Sequence, residues 1–184
     1  AVERFEALGA HVEEVAPPFD DPVPIFNTVW SPNIAGPILA RFSEDQLAGL
    51  GDEVRGAIED AKTIPLQAFV EAERQRDLLV HRMRRFHEDY DLLLTPTSIV
   101  MPFETIHTMP PDWDTERSWL WELPTFPFNF SRQPAVTVPC GFTDEGLPVG
   151  LQIVGPIYED ARTLRAARAY QEAYPTIDRR PPLD

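Results

Sequence analysis

Few side chains in this sequence are of types that do chemistry, and the first is its only thiol. Cys140 is the single cysteine among 184 residues. A catalytic thiol needs a neighbouring base to form the thiolate. Cys140 instead follows Pro139 at the end of an apolar run, where a cysteine is more often a small buried side chain. We therefore predict that Cys140 packs and does not react.

The hydroxyls and imidazoles do not form a recognisable catalytic or metal-binding pattern. No serine lies in a G-x-S-x-G elbow, and the chain contains no HExxH motif and no glycine-rich phosphate loop. The histidines lack metal-ligand spacing, and we predict surface or packing roles for them and no metal or cofactor site. They are His11, His81, His87 and His107.

Composition restricts the classes of partner. The formal net charge is −14, which disfavours nucleic acid, because binding a phosphate backbone requires clustered Lys and Arg. No apolar run approaches the ~20 residues of a membrane span. Nothing at the start resembles an export signal, and one cysteine cannot form an intrachain disulfide. These features predict a cytoplasmic protein.

Hydrophobic periodicity predicts the helices. The strongest helix is PLQAFVEAERQRDLLVHRMRRFHED, in which an apolar arc surrounds Arg76. Arg76 must pair with Glu73 or another element, or extend its charged end to solvent. Other helices are predicted from Val2, after Ser43 in a capping box, near 52–61 and over 159–174, the last with Leu164 on its apolar side. Prolines between 22 and 42 predict short, broken helical pieces.

Strands are predicted from apolar runs and turn residues. HVEEV can form a short strand, and YDLLLTPTSIVMP is typical of a strand buried on both faces and ended by Pro96. Residues 134–139 and 149–154 form a predicted hairpin that turns at Glu145 and Gly146. The class is therefore α/β. The first helix begins at Ala1 without a capping residue, so we expect a single partial domain over 1–184, truncated at its amino end.

These segments carry a family resemblance. The run FNFSRQPAVTVPCGFTDEGLPVGLQIVGP, preceded by YDLLLTPT and followed by YEDARTLRAARAY, resembles the carboxy-terminal part of the amidase signature family. The resemblance implies an α/β/α fold, a mixed sheet flanked by helices. It also implies hydrolysis of carboxylic amide C–N bonds by a serine, a second serine with a cis peptide bond and a lysine.

The resemblance places those catalytic residues upstream, and none is expected in this chain. The sequence has no Ser-Ser pair, and its one lysine, Lys62, lies in DAKTIP, where we predict a surface position. The expected role is scaffold and pocket wall for a small-molecule amide, with the missing amino-terminal catalytic portion as partner. An isolated fragment would expose sheet edges, so self-pairing as a homo-oligomer is the other expectation. A non-catalytic binding or assembly module is the alternative function.

The resemblance also implies candidate substrate contacts. Where the family has a small glycine after Asn-x-Ser/Thr, this chain has Arg132, which either offers a cation to the pocket or points to solvent. Among family members, a general amidase acting on a small or aryl amide is favoured over the amidotransferase A subunit that acts on charged tRNA. The predicted substrate-binding residues are Trp119, Trp121, Glu122, Phe126, Phe128, Asn129 and Arg132.

Overall fold

A computed structural model describes residues 1–107, 109–113 and 120–176. Helices and a small antiparallel sheet share the chain, which confirms the α/β class. The helices are α1 Val2–Ala7, α2 Val23–Leu39, α3 Glu44–Ala48, α4 Asp52–Thr63, α5 Leu66–Asp89, α6 Phe126–Ser131 and α7 Asp160–Ala173, with a 3-10 turn at Leu120–Glu122. The strands are β1 Leu93–Pro96, β2 Ala135–Phe142 and β3 Pro148–Val154.

The described chain divides into two compact units. One contains residues 1–18 and 83–184, and the other contains residues 19–82. Compactness alone does not define a domain, so the assignment of 1–184 to a single partial domain stays a prediction.

The 19–82 unit corrects the expectation of broken helical pieces. Residues Val23–Leu39 form one continuous helix although Pro32 and Pro37 lie inside it. Each internal proline removes a backbone donor and strains the preceding turn. The helix persists because it buries Phe26, Val29 and Ala35, and packing outweighs local propensity. The Ser43–Gln46 capping box predicted for α3 is confirmed.

The long helix α5 follows the predicted arc. Ala72, Leu79 and Met83 are buried, and Phe69 and Phe86 are half-buried. Arg76 lies on this arc, and its guanidinium pairs with Glu73 at 3.3 Å. This ion pair gives the partly buried charge a partner. It is the first of the three alternatives predicted for Arg76, pairing with Glu73.

The sheet has the strand order β1-β3-β2, and both pairings are antiparallel. The predicted hairpin is confirmed, with Gly146 in the turn at φ +84°. Pro139 does not end the pairing, because a bulge between Pro139 and Gly141 lets β2 continue to Phe142. β1 is half-buried instead of buried on both faces, since it pairs on one side only among the described strands.

The core of the unit that carries the sheet lies between the hairpin and α7. Val138, Leu151 and Ile153 from the sheet meet Tyr170 from α7 and Phe5 from α1. Cys140 packs against this cluster, which supports its predicted packing role.

Two predictions around this core are wrong. Leu164 is 60% exposed, and Thr163 lies on the buried side of α7 in its place. The HVEEV segment forms no strand; it runs past the core without sheet pairing, with Val12 partly buried and Glu13 accepting a hydrogen bond from the Tyr90 hydroxyl at 2.9 Å.

Candidate functional site

A groove of about 550 Å³ lies beside one end of the sheet. One side is the segment that follows β1, and the other lining residues are Trp121, the middle of β2 and the start of β3. The described lining residues are Thr97, Ser98, Ile99, Val100, Met101, Pro102, Phe103, Trp121, Thr137, Pro139, Pro148, Val149 and Gly150.

The floor of this groove forms because Gly150 has no side chain. The Thr97 backbone N–H donates to the Gly150 carbonyl at 3.1 Å, just beyond the last pair of the β1–β3 ladder. A Cβ on Gly150 would lie 2.7 Å from Thr97 Oγ1 and 3.1 Å from Thr137 Cγ2. The glycine therefore allows the two threonines to approach, and their hydroxyls form a hydrogen bond of 3.2 Å.

The wall of the groove is aromatic. The rings of Phe103 and Trp121 meet edge to face, with centroids 5.6 Å apart and an interplanar angle of 87°, an arrangement that aromatic pairs favour. Ser98 joins the wall to the floor segment: its hydroxyl donates to the Trp121 carbonyl at 3.4 Å and accepts from the Val100 N–H at 3.2 Å. Among the lining residues that the structure describes, none is charged.

Gln152 links two segments that lead into the groove lining, although no sequence motif singled it out. Its side chain is 4% exposed, and its Nε2 donates to Thr95 Oγ1 at 2.9 Å and to the Pro124 carbonyl at 2.7 Å. One amide thus fastens β1 and the segment that carries Trp121 to β3. The available signal was a single amide inside the apolar run GLQIVG, because a buried polar group requires partners.

A second polar network holds the end of α6 against the sheet. Ser131 is 1% exposed, and its hydroxyl donates to Gln133 Oε1 at 2.7 Å. Gln133 Nε2 in turn donates to the Gly155 carbonyl at 3.2 Å. The network fixes the turn that follows α6, in which Arg132 has φ 58°.

The predicted site residues do not all lie together. Trp121 lines the groove. Phe126 and Phe128 are buried, at 4% and 3% exposure, and Glu122, Asn129 and Arg132 are exposed. Trp119 lies outside the described residues. The assignment of these seven residues to substrate contact stays a prediction, and Trp121 is the member that the groove contains.

The remaining candidates for chemistry have other surroundings. Lys62 is paired with Glu59 at 2.7 Å with 57% of its side chain exposed, as predicted for a surface lysine. His87 is half-buried; its Nδ1 is 2.9 Å from the Tyr90 carbonyl, and burial lowers the pKa of its imidazole. Among the described residues, no three His, Cys, Asp or Glu side chains are grouped to hold a metal ion. No described helix is both long and apolar enough to cross a membrane.

The comparisons with known proteins give the family. The model of the Amidase family matches residues 1–164, which is most of the chain. The chain belongs to the amidase family. This confirms the resemblance carried by the hairpin and its flanking segments.

Individual relatives agree with this membership. The chain is 30% identical to an acylamidase of Rhodococcus erythropolis over 98% of its own length and 39% of the relative's. It is also 30% identical to the A subunit of a glutamyl-tRNA(Gln) amidotransferase of Synechococcus sp. (strain CC9902), over 98% of the chain and 41% of the relative. A bacterial aryl acylamidase of the amidase signature family has a similar structure, with a TM-score of 0.75 and 26% identity over 95% of this chain and 39% of that chain. The chain therefore spans about two fifths of these proteins.

Proposed function

We propose that this chain is the carboxy-terminal portion of an amidase-signature hydrolase that cleaves carboxylic amide C–N bonds. In this proposal it contributes scaffold and one wall of the substrate pocket. The single observation that carries the proposal is the family match over residues 1–164. The groove beside the sheet supports it, because its volume is that of a small-molecule site.

The catalytic groups are proposed to lie in an amino-terminal portion outside these 184 residues. The chain contains no Ser-Ser pair, and Lys62 is exposed and paired with Glu59. A base for serine must lie within hydrogen-bond reach of the hydroxyl that it deprotonates. The chain thus has no Ser-Ser pair, and its one lysine is bonded to a carboxylate. Both facts support the role of a pocket-forming portion. The cytoplasmic setting and self-association stay predictions.

A general amidase is favoured over an enzyme that acts on charged tRNA. Identity does not separate the two, because the acylamidase and the amidotransferase chain are each 30% identical to this chain. The net charge of −14 supports a general amidase, since an acidic surface repels the backbone of a tRNA.

The test is an activity comparison. The 184-residue chain should release no 4-nitroaniline from 4-nitroacetanilide and no ammonia from benzamide. A chain extended upstream in the same reading frame should gain both activities if it carries a lysine and a Gly-Gly-Ser-Ser-Gly-Gly-like segment, and lose them when the nucleophilic serine is changed to alanine. Turnover by the 184-residue chain alone, or an extended chain without amidase activity, would overturn the proposal.

A further inference from the structure

We propose that the groove selects amides that carry an uncharged aryl or branched alkyl group, and that it rejects groups bearing a carboxylate or an ammonium ion. This inference rests on the proposed amide hydrolysis and names its substrate class. Its main determinants are Trp121, Phe103, Met101 and Val149.

The lining of the groove is suited to apolar groups. The two aromatic rings form one wall, and most of the other lining side chains are aliphatic. The cavity of about 550 Å³ falls within the roughly 300–1,000 Å³ of small-molecule sites. An apolar group placed there gains free energy in proportion to the apolar surface removed from water.

The side-chain hydroxyls of the groove are neutral, and each takes part in a hydrogen bond within the chain. The Ser98 hydroxyl uses both its hydrogen and a lone pair, towards Trp121 and Val100. The hydroxyls of Thr97 and Thr137 bond to each other at 3.2 Å. A charged group entering the described part of the groove would lose water without meeting an opposite charge, which is strongly unfavourable.

Long-range electrostatics acts in the same direction on anions. The net charge of −14 lowers the local concentration of carboxylates around the protein. An anionic substrate is therefore disfavoured both during approach and inside the groove, whereas a cationic one is disfavoured inside the groove only. A neutral amide meets neither obstacle.

The experiment measures binding to the 184-residue chain by NMR titration. The probes are 2-naphthamide and its charged counterpart 6-carbamoyl-2-naphthoate, which share the ring system and the amide. The expected result is that 2-naphthamide shifts the Trp121 indole N–H, assigned with a Trp121→Phe variant, and binds at least tenfold more tightly than the carboxylate. Equal affinities, or shifts confined to residues outside the groove, would overturn the inference.

A matched pair of variants tests the location. Met101→Glu places a carboxylate on a lining residue that is 56% exposed, and Ile106→Glu places one on a residue that is 79% exposed and outside the lining. Met101→Glu should weaken 2-naphthamide binding at least fivefold, and Ile106→Glu less than twofold. Equal effects would contradict the assignment.

Failure of this inference is separable from failure of the proposed function. Hydrolysis of 4-nitroacetanilide by the extended chain, together with equal binding of the two naphthamides, would retain the amidase and reject the groove's selectivity. Selective binding without hydrolysis by the extended chain would retain the groove as an apolar ligand site but reject the amidase, and with it the assignment of a substrate class.

Discussion

Arg132 ends α6 in a backbone conformation that glycine adopts more easily. Its φ is 58° and its ψ 31°, in the left-handed region that costs an L-residue roughly 1–2 kcal/mol. Glycine avoids this strain but loses more entropy on folding, by roughly 0.5–1 kcal/mol. We expect Arg132→Gly to raise the free energy of unfolding by about 0.5 kcal/mol, measured by urea denaturation.

Arg165→Gly is the matched control for this change. Arg165 is exposed within α7, where glycine in place of arginine lowers the free energy of unfolding by about 0.8 kcal/mol. The two substitutions remove the same side chain and should change stability in opposite directions. A loss of stability in both variants would mean that the Arg132 side chain contributes more than its backbone conformation costs.

Gly155, like Gly150, lies where a side chain would clash with its neighbours. A Cβ there would lie 2.1 Å from Thr163 Oγ1, and Thr163 is 2% exposed. Because the atoms around Thr163 are packed, we expect Gly155→Ala to destabilise the fold by about 1–3 kcal/mol. Urea unfolding of the variant gives the value directly.

The Thr163→Ala background identifies the cause of that loss. Removing Oγ1 leaves Thr163 Cβ as the nearest atom at 3.4 Å, so Gly155→Ala should lose much of its effect there, a coupling that a double-mutant cycle measures. Gly141→Ala is the control, since a Cβ at Gly141 meets nothing within 4 Å. An undiminished loss in the Thr163→Ala background would point to backbone strain instead of the clash.

At the same scale, the position of single side chains can be predicted from the sequence more readily than the set of residues that forms the groove. The packing role of Cys140 and the surface position of Lys62 follow from their local settings. The groove does not, because Trp121 meets Phe103, and both line the same cavity as Gly150, only after the chain segments that carry them pack together. No local pattern encodes such a meeting.

Among the elements, the corner where α5 leads into β1 contains a pH-sensitive group. Burial lowers the pKa of His87 from its ordinary value of 6.5; Arg162 also lowers it, while the Tyr90 carbonyl and Asp91 raise it. The unfolded chain therefore binds the proton more readily. Stability should be greatest above pH ~6.5 and should fall as the pH drops through the region just below it.

The variant His87→Asn tests this pH dependence. Asparagine can place its Nδ2 near the position of imidazole Nδ1, which lies 2.9 Å from the Tyr90 carbonyl, and it does not titrate. Urea unfolding between pH 5.5 and 8 should show a steeper loss of stability for the unmodified chain than for His87→Asn. Parallel pH profiles would assign the acid sensitivity to other groups.

The elements also show where sequence patterns are reliable. The arc of α5 and the hairpin around Gly146 are predictable because their periodicity and turn residues agree with the final packing. Prolines in α2 suggest breaks, but burial of Phe26, Val29 and Ala35 holds one helix. HVEEV has strand-forming residues without a pairing strand in the described chain, and pairing is a property of the tertiary structure.

For the whole molecule, the largest electrostatic feature is the excess of acidic residues. The chain has 30 Asp and Glu against 16 Lys and Arg, and folding brings these like charges closer together. The favourable ion pairs are largely exposed, as in Arg74–Glu71 with 58% and 55% of the two side chains accessible, and such pairs contribute about 0–1 kcal/mol each. Repulsion between the acidic groups should therefore outweigh these ion pairs at low salt.

This balance predicts that salt stabilises the protein. Raising NaCl from 10 to 100 mM shortens the Debye length from about 30 to about 10 Å, which screens the repulsion over the folded surface. We expect the melting temperature to rise by about 2–4 °C, equivalent to roughly 1 kcal/mol for a chain of this size. Differential scanning calorimetry at each salt concentration measures the change.

Two single-charge variants show whether net charge is the cause. Asp144 and Arg84 are both exposed, so Asp144→Asn changes the net charge of −14 by +1, and Arg84→Gln changes it by −1. The salt-induced rise in melting temperature should be smaller in the first variant and larger in the second, because repulsion grows with net charge. A melting temperature that falls with salt would mean that the exposed ion pairs outweigh the repulsion, and the acidic excess would then favour solubility without destabilising the fold.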